Sequence, residues 1–272
     1  MHSHDDSVQK QFDPQAQAYL TSVVHAQGPD LDYARARIAA QVPASGVALD
    51  VGCGAGHLAF VVAALLERTV ALDPSPSMLT TVATAAGERG LTKLETRQGH
   101  AAALPFAAAS FDFVCTRYSA HHWTQLSDAL AEIHRVLKPA GQLLVIDVLG
   151  AADALVDTHL QAIELLRDPS HVRDRTSAEW RSVLNAAQFE LVDQPSWPLR
   201  LDFSSWVARI RTPEVHVAAL RALQVGAPQE VKRALAYADD GSFTCTTGAF
   251  WARRRGRARL NGVRRGLHVR RL

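Results

Sequence analysis

The run Val47-Ala-Leu-Asp50-Val-Gly52-Cys53-Gly54-Ala-Gly56-His57, continued by the apolar stretch from Leu58 to Leu66, decides how the rest of the chain is read. It reads as a short buried strand that stops at an acid, a glycine-rich turn, and a helix. Glycines at 52, 54 and 56 permit positive φ and let a ligand approach the backbone without meeting a Cβ. The first amides of the helix have no intrahelical partner, so the turn is suited to a carboxylate or phosphate. Strand, turn and helix together make the opening unit of a Rossmann-like sheet. The glycine register is G-x-G-x-G, whereas a dinucleotide fingerprint needs G-x-G-x-x-G; His57 stands where its last glycine belongs. Asp50, just before the turn, is poorly placed beside a pyrophosphate and well placed beside a ligand with an ammonium or sulfonium charge.

Asp50-Val-Gly52-Cys53-Gly54-Ala-Gly56 resembles motif I of the class I S-adenosylmethionine (SAM)-dependent methyltransferases. The resemblance implies an α/β fold: a Rossmann-like, doubly wound, seven-stranded, mostly parallel sheet with an antiparallel last strand. It extends over about residues 7–252 and is strongest from Val47 to Val148. SAM is the implied cofactor. Gly52, Gly54 and Gly56 are expected at its methionine carboxylate end and Asp50 at its amino group, with Cys53 a further cofactor-binding candidate. The second strand, Thr69-Val-Ala-Leu-Asp73, also ends in an acid, which in such sheets accepts ribose hydroxyls. Asp73 fits NAD equally well and does not separate the two cofactors. Pro74 and Met78 follow, with Met78 expected against the adenine.

The stretch Gly99-His100-Ala101, Leu104-Pro105-Phe106 and Ser110-Phe-Asp112 is similar to a segment in which the family carries an acid that accepts from the adenine amino group. Here that position is His100. A neutral imidazole accepts one hydrogen bond without supplying a carboxylate's charge, so amides around Ala101 are expected to carry more of the contact. Arg117 closes the fourth strand at the ligand crevice and is a further cofactor-binding candidate. His121 and His122, beside Trp123, lie in the loop that follows. Together with His25 they are the candidate general bases. No metal site is expected, because adjacent histidines in an extended segment point to opposite sides and no ligand triad is spaced nearby.

Upstream, Phe12, Ala16, Tyr19 and Leu20 recur at helical spacing. Gly28-Pro29 breaks the pattern, and Asp30 offers an N-cap for a second helix through Ile38. Residues 1–40 resemble the helical lid of ubiquinone/menaquinone-type methyltransferases, which implies that Tyr19 closes over SAM. Downstream, Glu190 to Trp197 reads as the sixth strand. The helical segment from Arg200 to Tyr237 reads as a cap insert (residues 200–240), with Phe203, Trp206, Ile210, Arg211, Val215 and His216 suited to a pocket wall. Ser242 to Ala252 reads as the last strand. One methyltransferase domain is thus expected over residues 1–252.

Composition narrows the functional classes. A hydrophobic content of 47% with 21% charged residues fits a soluble globular chain. Its polar, acidic start is no signal peptide, its longest apolar run is too short for a bilayer, and cytosol is the expected compartment. Cys53, Cys115 and Cys245 form no CxxC pair. Nine of the 29 basic residues fall in residues 253–272, leaving 20 against 27 acids in the body. An acidic body makes nucleic acid an unexpected partner, and the arginine-rich tail is expected to be disordered. A small-molecule acceptor is the expected substrate. An RNA-modifying enzyme using the tail, an NAD(P)-linked oxidoreductase and a non-catalytic SAM-binding protein are the alternatives. Oligomeric state is open.

Overall fold

A computed structural model of the chain describes residues 4–256. It begins with α1 (His4–Phe12), a 3-10 turn (Asp13–Gln15), α2 (Ala16–Leu20), α3 (Val23–Ala26) and α4 (Pro29–Gln41). Strands and helices then alternate: β1 (Val47–Val51), α5 (His57–Ala63), β2 (Arg68–Asp73), α6 (Pro76–Glu88), β3 (Leu94–Gln98) and β4 (Phe111–Arg117). A 3-10 turn at Ala120–His122 leads to α7 (Leu126–Val136), β5 (Leu137–Leu149), α8 (Ala154–Arg167) and α9 (Ser177–Ala186). The last third carries β6 (Phe189–Asp193), β7 (Ser196–Leu201), α10 (Phe203–Arg209), α11 (Glu214–Gly226), α12 (Gln229–Ala234) and β8 (Phe243–Arg254).

The sheet runs β3-β2-β1-β4-β5-β8-β6, with β7 also on β8. Neighbours from β3 to β5 are parallel, and β8 is antiparallel to each strand it touches. From β1 the chain winds outward first through β2 and β3, then the other way through β4 and β5. That reversal opens a crevice at the carboxyl ends of β1 and β4.

Side chains alternate across the central strands because the pleat has period two. Leu49, Val51, Val114 and Val145 pack on one face against Leu130, Ile133 and Val136 of α7 and Trp180 of α9. Ala48, Phe113, Leu144 and Ile146 pack on the other against Ile38 of α4 and Leu58 and Val62 of α5. Each fully buried aliphatic side chain here contributes about 1.5–3 kcal/mol. A separate cluster joins Leu160 and Ile163 of α8 to Trp206, Leu220 and Val231 of the three helices after β7.

Several expectations need correction. Among the described residues the sheet has eight strands, not seven, because the expected sixth strand is two. β6 pairs with the end of β8 (Asp193↔Trp251) and β7 with its beginning (Ser196↔Gly248). Pro195 lies between them, has no N–H to continue a ladder, and gives its carbonyl to Ala249 N at 3.0 Å. The cap helices therefore start at Phe203. Of the pocket-wall residues expected there, Trp206 lines a cavity. Phe203 and Ile210 are buried in packing, Val215 is 72% exposed, and His216 Nδ1 is 2.8 Å from the Leu166 carbonyl. Asp30 is not an N-cap either. Gly28 holds that place with Pro29 first in the helix, and Asp30 turns inward to Arg117. The expected tail begins too early, since Arg253 and Arg254 finish β8 and Arg254 Nη1 donates to Leu137 O at 2.6 Å. The rest of the tail, residues 257–272, lies outside the described residues. Among the described residues, no helix is long and apolar enough to cross a membrane.

Candidate functional site

Every residue expected to bind cofactor or act in catalysis, Gly56 and His121 excepted, lines one cleft of about 410 Å³ at the β1/β4 crevice. This volume falls in the range typical of small-molecule sites, roughly 300–1,000 Å³. Its floor is the glycine turn. Gly52 N and Cys53 N both donate to Leu72 O, at 2.8 and 3.0 Å, which tethers the turn to β2. Gly52 has φ +68°, and a Cβ there would overlap Ser119 Oγ. Gly56 sits behind the floor with φ +88°, and a Cβ would come 2.9 Å from both Phe60 and Val82. Only glycine suits either place.

Asp50, at the end of β1, is 1% exposed, and among the described residues neither carboxylate oxygen has a well-formed hydrogen bond, the Cys115 thiol and the Ala59 amide being its nearest donors. Burial pushes its pKa up to about 7. An unpaired buried carboxyl facing a cleft is costly unless a ligand supplies the missing donor or cation. Asp73, at the end of β2, accepts from Gly54 N at 2.8 Å and Ser75 N at 2.9 Å. Its pKa rises to about 6, driven by burial and opposed by those two amides. Ser75 caps α6 through Met78 N at 3.0 Å and donates to Asp13 of the N-terminal turn. Ser75 is thus a buried cap. Met78 is buried on the cleft wall, while His100 is exposed at its rim beside Gly99 and Ala101. Cys53 also lines the cleft. Burial pushes its thiol well above the ordinary range, so it is no nucleophile.

The N-terminal helices lie over this floor. Gln9 Nε2 donates to Pro74 O at 3.0 Å, and His57 Nε2 is 3.0 Å from Tyr19 O. A chain of rings runs from His122 to Phe12 (5.1 Å), Tyr19 (5.5 Å) and His25 (4.9 Å). Arg117 fastens the layer from below: Nε donates to Asp30 Oδ2 at 2.6 Å and Nη1 to His25 O at 2.9 Å. Both charged side chains are 5% exposed. Arg117 thus borders the cleft while holding the overlying helices, and its Nη2 is buried without a partner. Burial, then the charge of Arg209, holds the His25 pKa well below its usual value.

The two adjacent histidines divide. His121 turns away from the cleft into a second cavity of about 80 Å³ and meets Asp147 Oδ1 through Nδ1 at 2.6 Å. Burial disfavours its charge, but the Asp147 carboxylate outweighs burial and raises its pKa to about 9. His122 lines both cavities, and burial together with the charge on His121 lowers its pKa to about 4. His122 Nδ1 lies 3.0 Å from the Ser170 carbonyl. A carbonyl only accepts, so the proton sits on Nδ1 and Nε2 keeps its lone pair. Among the described residues no group of three His, Cys, Asp or Glu side chains could hold a metal ion.

Sequence reasoning missed the residues of the second cavity, which include Glu164, Arg167, Asp168, Asp174 and Arg209. It also read Asp147 only as part of a strand. The one available signal was the density of charge in Arg167-Asp168 and Arg173-Asp174-Arg175, flanking a break between two helices.

Residues 49–145 match the family model described as a methyltransferase domain. The chain is 46% identical over 193 residues to the uncharacterized protein YafE of Escherichia coli, covering 71% of this chain and 93% of that one. It is 34% identical over 202 residues to the uncharacterized methyltransferase YcgJ of Bacillus subtilis, covering 74% and 79%. The crystal structure of YcgJ superposes with a TM-score of 0.79 at 29% identity, covering 84% of this chain and 98% of that one. Over 100 residues, 36% of this chain and 38% of the relative, the chain is 36% identical to a ubiquinone/menaquinone biosynthesis C-methyltransferase of Rubrivivax gelatinosus. The orphan acid at Asp50, the glycine turn beneath it and the ribose-type acid at Asp73 fit S-adenosylmethionine, and they agree with these likenesses: the chain belongs to the class I S-adenosylmethionine-dependent methyltransferases.

Proposed function

We propose that the acceptor is a small molecule, methylated at oxygen, nitrogen or an activated carbon, and that His122 removes its proton. The observation that carries this reading is His122 itself, neutral at physiological pH, with Nε2 unprotonated, on the wall shared by the cofactor-sized cleft and the second cavity. In this reading Asp50 receives the cofactor's amino group and Asp73 its ribose. The glycine turn takes the methionine carboxylate, and Met78 with the backbone from Gly99 to Ala101 takes the adenine.

The bound cofactor supplies a methyl group already activated by a sulfonium. What the chain adds is alignment and proton handling. Holding donor and acceptor in line lowers the barrier by roughly 7–11 kcal/mol. Proton removal by His122 contributes about 10²–10⁴-fold more. Its base strength is low, which restricts the acceptor to one strongly acidified by its own structure, such as a phenol or an enol bearing electron-withdrawing groups. His121 stays charged on Asp147, and that charge opposes a second proton on His122, which keeps the base neutral and weak. Tyr19, Phe12 and His25 exclude water from above. Cytosolic location is part of this proposal and rests on the soluble-type composition.

The test separates small-molecule from RNA acceptors. The full chain and a chain truncated after Gly256 are each supplied with labelled SAM and either a panel of phenols, enols and amines or total RNA. Transfer to a member of the panel, equal in both chains, supports the proposal. Transfer confined to RNA and lost on truncation overturns it.

A further inference from the structure

The second cavity holds a charge pattern that the proposed methyl transfer leaves unused. It lies across His122 from the cofactor cleft, and Phe12, Tyr19, His25, Tyr118 and His122 line both spaces. Its volume of about 80 Å³ is several times the roughly 15 Å³ that one water needs. Arg167 enters from the last turn of α8 and Arg209 from the last turn of α10. Arg167 is 9% exposed, donates from Nε to Trp206 O at 3.0 Å, and lies over the Trp206 ring at 5.0 Å. Among the described residues its one ion-pair partner is Glu164 Oε2, 4.0 Å from Nη1 at the outer limit of an ion pair, and the guanidinium also acts on Asp168 and the Tyr19 hydroxyl. No hydrogen bond or ion pair engages Arg209 among the described residues.

The acids around the cavity offset this pair only in part, and no ion pair within 4.0 Å reaches Arg209 among the described residues. Asp168 keeps its charge: burial opposes it, but His122, the hydrogen bonds from Ser170 N at 2.9 Å and Ser170 Oγ at 2.6 Å, and Arg167 together lower its pKa, so it offsets part of the charge on Arg167. Asp147 is engaged by His121. Burial raises the pKa of Glu164 and drives that of Asp174 well above its usual value, which shifts both toward their neutral forms. Asp174 Oδ2 is sealed from solvent with no partner. Two guanidiniums always carry charge, while His121 and Asp147 compensate each other. A half-buried guanidinium without a counterion is costly and is relieved by an oxyanion that accepts from it in a forked geometry.

We propose that this cavity is the acceptor's anchoring subsite and takes a carboxylate carried by the acceptor, held between Arg167 and Arg209. The reactive atom of such an acceptor projects past His122 into the cofactor cleft, so the anchor fixes its distance from the methyl group. This inference rests on the small-molecule reading above and narrows it to carboxylate-bearing acceptors.

The test titrates the full chain, saturated with S-adenosylhomocysteine, with acetate, benzoate and 3-phenylpropionate and with the three corresponding amides. At least one acid is expected to bind tighter than its amide by roughly tenfold to a hundredfold, the span of one to two charge-assisted hydrogen bonds. Arg209→Gln abolishes that preference, Arg209→Lys keeps part of it, and both leave S-adenosylhomocysteine affinity within about twofold, which separates lost anchoring from lost folding. No acid binding tighter than its amide, or a preference that survives Arg209→Gln, overturns the subsite while leaving methyl transfer standing. A wild-type chain that does not bind S-adenosylhomocysteine takes down both.

Discussion

His121 donates from Nδ1 to Asp147 Oδ1 across 2.6 Å, and this contact charges one histidine while denying charge to its neighbour. The rings of His121 and His122 are only 4.1 Å apart, so a proton held on the first raises the cost of a proton on the second. Histidine-resolved NMR titration is expected to show His121 protonated and His122 neutral across the whole interval from about pH 5 to 8. Asp147→Asn should drop His121 toward the ordinary value and let His122 rise. Stability follows with opposite signs. The contribution of His121 is full below 6.5 and fades as pH rises through about 9, while that of His122 is full above 6.5 and fades as pH falls toward about 4.

If His122 is the base, His122→Asn lowers the turnover number by about 10²–10⁴-fold and leaves S-adenosylhomocysteine affinity nearly unchanged. His121→Asn, which removes a charge but no base, costs less. Equal losses in the two variants would reassign the role.

The pair Arg117–Asp30 ties the layer of N-terminal helices to the end of β4 through two side chains 87 positions apart. Asp30→Ala leaves a buried guanidinium uncompensated and is expected to cost about 3–5 kcal/mol in chemical denaturation. The double variant Asp30→Ala, Arg117→Met removes the orphan charge and should recover part of that loss. Failure to recover any would show that packing, not charge, holds the layer.

Gly52→Ala meets both a positive φ and the Ser119 hydroxyl. Thermal unfolding should fall by an amount equivalent to about 1–3 kcal/mol, with cofactor binding lost. Adding Ser119→Ala relieves the overlap and not the backbone strain, so recovery is expected to be partial.

Much of the cofactor floor was legible because its chemistry is local in sequence. A glycine run fixes its own turn, and a strand that stops at Asp50 or Asp73 places that acid at the crevice whatever the rest of the chain does. The second cavity was not legible, since His121 meets Asp147 from 26 positions away and Arg167 meets Arg209 only because α8 and α10 share a core. The same limit explains Asp30. An acid next to Pro29 looks like a cap, and only the folded chain reveals the arginine it serves. The divided edge strand turned on Pro195, whose consequence depends on β8 being long enough to pair on both sides of it.

Asp50 carries the central claim, because among the described residues no well-formed hydrogen bond satisfies its carboxyl, with only the Cys115 thiol and the Ala59 amide nearby easing its charge, and a cationic amino group would satisfy it. With a folded pKa of about 7 against an ordinary 3.8, its burdened state destabilises the free protein progressively as pH rises through 7. Asp50→Asn should therefore raise the melting temperature of the free chain while weakening ligand binding. The most direct measurement is calorimetric titration of S-adenosylhomocysteine into wild type and Asp50→Asn near pH 7, in buffers of different ionisation enthalpy. The account predicts affinity lower by roughly tenfold to a hundredfold in the variant, and a fraction of a proton released on binding in wild type only. Equal affinities with no difference in proton release would contradict it.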